Sequence, residues 1–277
     1  MKQQTPLFLF AALCVTFISC QQQMKDSKPP VAAIKPHTFT EHGTTRTDNY
    51  FWLRERENQE VIAYLNAENA YCDEILKDTK TDEEDLFKEL KARVKENDES
   101  VPYKDGGYYY YNKYEQGKDY AINFRKKGNL EGKEELLMDE NERAKGHPYY
   151  DLGSLEISND NNMLAYSEDT VSRRLYLLRF RDLTTGKEYD EVLVNTTGEA
   201  VWANDNKTVF YVNKDTETLM EHKVYRHVIG TPQSKDVLVY EEKDEEFSLS
   251  IGKTKSKKYI EILSNSTLST EVLLLDA

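Results

Sequence analysis

The sequence predicts a mainly β fold, a partial β-propeller preceded by a short helical segment. Three observations carry this expectation. The string Val201 to Tyr211 nearly repeats Ile157 to Tyr166 at an offset of 45, with Asp205 falling on Asp160, Asn206 on Asn161 and Tyr211 on Tyr166. Similar turn-then-strand units start at Asp105 and near Ser256, so the anchors at 105, 160, 205 and 256 lie 55, 45 and 51 residues apart. That period suits four-stranded blades that bury their faces against their neighbours, although an ordinary β-sandwich also places turns at regular intervals. Second, short β runs separated by turn signals fill the chain from Val101 onward: Gln116-Gly117-Lys118, Gly128-Asn129, Thr184 to Lys187 and Gly230-Thr231-Pro232. Third, helical spacing is confined to the residues before 100. Blades are expected at about 101–145, 150–197, 200–242 and 247–277, the last one incomplete because the chain stops in the strand-like run Val272 to Leu275.

The elements before the blades follow in order. Residues 1–19 form a targeting segment, with Lys2 as its positive start and Leu7 to Ile18 as an apolar run too short to span a bilayer. It closes on Phe17-Ile18-Ser19-Cys20 and resembles the lipobox of bacterial lipoproteins, although Phe17 stands where leucine is usual. Lipidation of Cys20 would anchor the protein to the bacterial cell envelope, on a periplasmic or surface-facing side. An ordinary secretory signal with an incidental cysteine is the other reading. Residues 20–36 read as a tether rich in Gln, Lys and Pro. Residues 37–100 form the helical N-terminal segment. Within it Val61, Ile62, Leu65, Cys72, Ile75 and Leu76 recur at helical spacing, and Cys72 is expected as a small buried hydrophobe. Thr81 to Glu84 reads as a capping box opening a second helix with Leu86, Phe87, Leu90 and Val94 on one face.

Composition narrows the function. In 277 residues, 37 Lys and Arg stand against 50 Asp and Glu, a net charge of −13 that disfavours nucleic acid as a partner. After the signal no apolar span is long enough for a membrane helix, so any membrane contact is expected through the lipid anchor alone. The chemistry-bearing motifs are missing. The one pair of glycines spaced four apart, Gly128 and Gly132, has Leu130 where a nucleophile elbow needs serine. In that fold the order is Ser, Asp, His, so His37, His42, His147, His222 and His227 all precede any nucleophile beyond Ala277. No catalytic residue, metal site or cofactor fingerprint is therefore assigned. His222 and His227 are five apart in a strand, which sets them on opposite faces and makes them surface or hydrogen-bonded histidines rather than a ligand pair. One cluster stands out: Glu168, Asp169, Arg173 and Arg174 at a strand-turn-strand junction. It is a candidate interdomain contact, or else a hairpin turn that satisfies itself.

Several strings taken together resemble oligopeptidase B (protease II) of the prolyl oligopeptidase family of serine peptidases. They are Asp48 to Arg54, Tyr64 to Asn69, Glu168 to Tyr176, Val201 to Asp205, Tyr225 to Pro232 and Val239 to Asp244. The resemblance runs from about Pro29 to Ala277 and implies the N-terminal part of a seven-bladed propeller covering a C-terminal α/β-hydrolase domain. It implies a helical segment packed mainly on that domain and a propeller that limits access to a Ser-Asp-His triad. It also implies cleavage of short peptide substrates after Lys or Arg. The catalytic domain would lie outside this chain, which by itself would be inactive. The alternative from another class is a non-catalytic envelope lipoprotein, a β-propeller that binds peptides or proteins.

Overall fold

A computed structural model describes residues 28–277, so the signal segment and Cys20 lie outside the described residues. The chain divides into two compact units, up to Val94 and from Lys95. In the first, strands β1 (His37–Glu41) and β2 (Thr44–Asp48) form a hairpin. Its turn, His42-Gly43, has φ of 50° and 76°, the left-handed pair that a two-residue hairpin loop requires. Helix α1 (Gln59–Leu76) begins where Asn58 accepts a hydrogen bond from the Glu60 N–H, and helix α2 spans Lys80–Ala92.

Two expectations fail here. Thr81 does not cap α2. The chain passes from α1 through a single 3-10 turn, and Thr79 keeps helical dihedrals (φ −91°, ψ −4°) without capping through its side chain. With no extended residue at the junction, there is no free helix start for Thr81 to close. Cys72 is exposed rather than buried. Val61 is the buried residue of α1, and Leu65, Ile75 and Leu76 face outward with Cys72. The stripe Leu86, Phe87, Leu90 and Val94 of α2 is likewise exposed.

The second unit is mainly β. The first sheet has β3 (Asp98–Glu99) and β4 (Tyr103–Asp105) on one edge of β5 (Tyr108–Tyr114), then β6 (Ile122–Lys127) and β7 (Glu134–Asp139). A short helix, α3 (Glu140–Ala144), follows. Strands β8 (Asp151–Ile157), β9 (Met163–Asp169) and β10 (Tyr176–Asp182) lead into β11 (Glu188–Trp202). After β11 come β12 (Thr208–Lys214), β13 (Glu221–Val228) and β14 (Val237–Glu241). Strands β15 (Ser248–Lys253), β16 (Tyr259–Asn265) and β17 (Thr270–Asp276) make the last sheet, and all pairing is antiparallel.

Strand β11 is 15 residues long and serves two blades. Its first half pairs with β10 (Leu178 opposite Leu193), its second half with β12 (Val201 opposite Phe210). The change of partner occurs around Asn195 (φ 58°) and Gly198 (φ 95°). Gly198 must lack a side chain, because a Cβ there would lie 3.0 Å from the Tyr176 ring. Gly153 on β8 faces the other part of that ring, where a Cβ would sit 2.8 Å from it. The hydroxyls of Ser154 and Ser167 both donate to the Gly198 carbonyl, at 2.5 and 2.7 Å, which fixes the crossing point.

The sequence repeat has a physical cause. Gly106, Asn161, Asn206 and Lys257 have φ of 54°, 66°, 58° and 59°, so each occupies the same left-handed turn position one residue after its anchor. These turns clasp one another. The Asn161 side chain donates to Gly106 O (3.2 Å), Asn159 to Ala203 O (3.1 Å) and Asn204 to Lys257 O (2.9 Å), while Asp160 N donates to the Asn206 side chain (3.1 Å). The cores also form between successive blades. Leu137, Tyr108 and Tyr110 meet Ile157 and Leu183; Phe180 and Leu193 meet Trp202 and Val209; Val212 and Val224 meet Ile251 and Ile262. Such nearest-neighbour burial is what successive blades require.

Candidate functional site

The charged cluster at the β9–β10 turn separates into two parts with different tasks. Glu168, 4% exposed, accepts from Arg143 of α3 at 2.6 and 3.1 Å and from Arg179 of β10 at 2.6 Å. Arg143 also lies over the Tyr166 ring at 5.3 Å. Asp169 has no cationic partner among the described residues. Its carboxylate accepts the backbone N–H groups of Val171, Ser172, Arg173 and Arg174 at 2.8, 3.1, 2.9 and 2.7 Å. Those bonds hold a turn in which Ser172 (φ 62°) and Arg174 (φ 53°) are left-handed without being glycine. Such backbone strain persists only where its surroundings over-determine it. Arg173 and Arg174 therefore contribute their N–H groups to Asp169, while neither guanidinium pairs with a described carboxylate. Sequence proximity groups Glu168 with the wrong arginines. Arg179 reaches Glu168 through the strand register, since Leu177 pairs with Glu168 and Arg179 is its diagonal neighbour across the ladder. Arg143, 25 residues upstream, carries no local signal.

His222 and His227, both on β13, each have a hydrogen-bonding partner. His222 is half-buried and its Nδ1 lies 3.1 Å from Met220 O. His227 is fully buried, stacked on Phe180 at 5.6 Å, with Nδ1 2.7 Å from Asp236 and Nε2 3.5 Å from Glu191. Glu191 also accepts the Gly230 N–H, and Asp236 accepts the Tyr211 hydroxyl at 2.8 Å. The string from His227 to Gln233 thus staples the β13–β14 connection to β11 and β12. Among the described residues no group of three His, Cys, Asp or Glu side chains is placed to hold a metal ion.

A cavity of about 450 Å³ is lined by β8, the second half of β11 and β15, including Glu156, Glu199, Trp202 and Lys253. Lys253 Nζ donates to Trp202 O, Asn204 Oδ1 and Asn159 Oδ1 at 2.7, 2.8 and 3.3 Å. Burial, then the neighbouring Lys257, hold its ammonium below the usual lysine range. Burial lifts the Glu199 carboxyl, opposed by the Ile251 N–H that it accepts at 3.0 Å. A second cavity of about 260 Å³ lies between the first sheet and β8, lined by Tyr103, Tyr110, Leu137 and Glu156 among others.

This succession of antiparallel sheets around shared inner strands matches the profile of the prolyl oligopeptidase N-terminal β-propeller domain over residues 29–277. The chain belongs to that family. It is 41% identical to dipeptidyl aminopeptidase BI of Pseudoxanthomonas mexicana, over 97% of this chain and 40% of that protein. It is 32% identical to protease 2 of Moraxella lacunata, over 90% and 37% respectively. Oligopeptidase B from Leishmania major superposes with a TM-score of 0.83 at 33% identity, covering 90% of this chain and 37% of that one. The closed, antipain-bound oligopeptidase B from Trypanosoma brucei gives 0.82 at 30%, with the same coverage. The chain thus spans about two-fifths of the length of these relatives and corresponds to their N-terminal part.

Proposed function

We propose that this chain is the propeller part of an oligopeptidase B-like serine peptidase that cleaves short peptides after Lys or Arg. The observation that carries the reading is the match of residues 29–277 to the propeller of this peptidase family, together with the likeness to two oligopeptidase B structures. In this reading the propeller restricts access, and the nucleophile, oxyanion donors and triad histidine come from a C-terminal α/β-hydrolase domain. In the same reading Glu168, Asp169, Arg173 and Arg174 face that domain, and the guanidinium groups of half-buried Arg173 and exposed Arg174 meet its carboxylates. A second reading, dipeptidyl aminopeptidase action, is favoured by the 41% identical relative. Hydrolysis assays on the protein made from the whole reading frame separate the two. Internal cleavage after Lys or Arg in an N-acetylated peptide supports the first, and release of dipeptides only from free amino termini supports the second. No turnover of either substrate leaves the non-catalytic peptide-binding propeller.

Lipidation at Cys20 and attachment to a bacterial envelope membrane are part of the same proposal. Each buried methylene of an acyl chain adds roughly 0.8 kcal/mol, so a multi-chain anchor holds far better than one chain. Mass spectrometry of the mature N-terminus is expected to find an acylated Cys20. An unmodified terminus elsewhere, or an unchanged membrane fraction for Cys20→Ala, rejects the anchor.

A further inference from the structure

Glu156 on β8 lines both the groove of the inner strands and the cavity beside the first sheet. Its backbone is fixed, since its carbonyl accepts the Trp202 indole N–H at 2.9 Å. Its carboxyl, in contrast, receives no hydrogen bond or ion pair from a described residue. The other charged groups lining these cavities have partners. Asp105 lies 3.8 Å from Lys257, Glu199 accepts the Ile251 N–H, and Lys253 is held by three oxygens.

Beside Glu156 stands Tyr103 of β4, 64% exposed and stacked on Tyr110 with ring centroids 5.4 Å apart. Tyr103 and Glu156 line the same cavity, and burial, then Glu156, lift the Tyr103 hydroxyl above the usual range. Neighbouring rings of that sheet already carry internal cations: Arg125 over Tyr108 at 4.2 Å, Lys104 over Tyr109 at 5.3 Å and Lys113 over Phe124 at 4.8 Å. Among the described residues no cation covers Tyr103. An aromatic face and an unpaired carboxylate opening on the same cavity are complementary to a guanidinium or ammonium group.

We propose that Glu156 and Tyr103 form a binding site for an organic cation, the basic side chain or free amino terminus of a peptide in the propeller groove. That the cation belongs to a peptide rests on the peptidase reading; the site itself does not. Glu156 is exposed as a residue, while the protein atoms crowded around its carboxyl, with Asp105 second, push that group up to about 7. The groups facing it are Asp105 and Tyr103 near β4, Glu199 from β11, and Lys253 and Lys257 from β15 and its turn. A raised carboxyl is neutral below its pKa and charged above, so cation binding strengthens as pH rises through about 7.

Calorimetric titration of the protein from the whole reading frame tests this with two probes. N-acetyl-arginine amide offers only a guanidinium, and glycine amide only an α-amine. We expect at least one to bind, more tightly at pH 8 than at pH 6. Glu156→Gln should weaken it about tenfold, a loss of about 1.4 kcal/mol. Tyr103→Leu should weaken it severalfold, and Asp244→Asn, which removes an equal charge in the β14–β15 loop, should leave it unchanged. The preferred probe tells side chain from amino terminus. Binding of neither, or equal binding by the parent and a Glu156→Gln protein with unaltered circular dichroism, overturns the site. Hydrolysis is measured in parallel: Glu156-dependent binding without turnover keeps the site and removes the peptidase reading.

Discussion

Trp202→Ala is expected to destabilise the second unit by roughly 3–5 kcal/mol, the range for truncating a buried aromatic side chain. Trp202 is 3% exposed, meets Phe180 edge-on at 6.2 Å and donates to Glu156 O across two inner strands. The variant therefore opens a cavity between blades and orphans a carbonyl that fixes the groove. Trp202→Phe keeps most of the ring volume and should lose chiefly the hydrogen bond, about 1 kcal/mol. Urea unfolding followed by far-ultraviolet circular dichroism checks both. A Trp202→Ala midpoint close to that of the parent would show that the blades do not depend on this contact.

Glu168→Ala is expected to cost roughly 2–4 kcal/mol, since removing one partner of a desolvated ion pair leaves the other unpaired. The arginines moderate the loss: Arg143 and Arg179 side chains are 33% and 30% exposed, whereas that of Glu168 is 5%. Arg174, exposed, and Arg173, half-buried but without an ion-pair partner among the described residues, should each change stability by less than about 1 kcal/mol when replaced by Ala. In the whole-frame protein the same two variants should instead alter the salt dependence of peptide hydrolysis. If Glu168→Ala unfolds at the parent's urea concentration, the buried pairings contribute nothing. If both arginine variants match the parent at every ionic strength, the turn is only a turn.

The fold was legible where local chemistry dictates it. The repeat surfaced because its turn positions select Gly or Asn for a left-handed backbone, as at Gly106, Asn161 and Asn206. Lys257 takes the same φ with an ordinary side chain, and there the repeat is faint in sequence. What stayed hidden depends on distant neighbours. The continuity of β11 is set by Gly153 and Gly198 making room for the Tyr176 ring, a requirement that no window of sequence displays. The partners of Glu168 and the burial of His227 between Glu191 and Asp236 arise from chain crossings 25, 36 and 9 residues apart. Cys72 and the α2 stripe follow helical spacing yet face outward. Periodicity names a face without saying what covers it. The candidate site was half legible: Glu168, Asp169, Arg173 and Arg174 stood out, but the Glu168 partners Arg143 and Arg179 did not, and Glu156 and Tyr103 gave no signal.

In the function proposed above, these blades belong to a serine peptidase whose nucleophile comes from outside them. Labelling the whole-frame protein with a serine-directed phosphonate, followed by peptide mass mapping, tests it most directly. The predicted result is one stoichiometrically labelled serine beyond position 277, within a Gly-x-Ser-x-Gly sequence, and none within 28–277. Label on a serine of residues 28–277, or a folded whole-frame protein that takes no label, would contradict it.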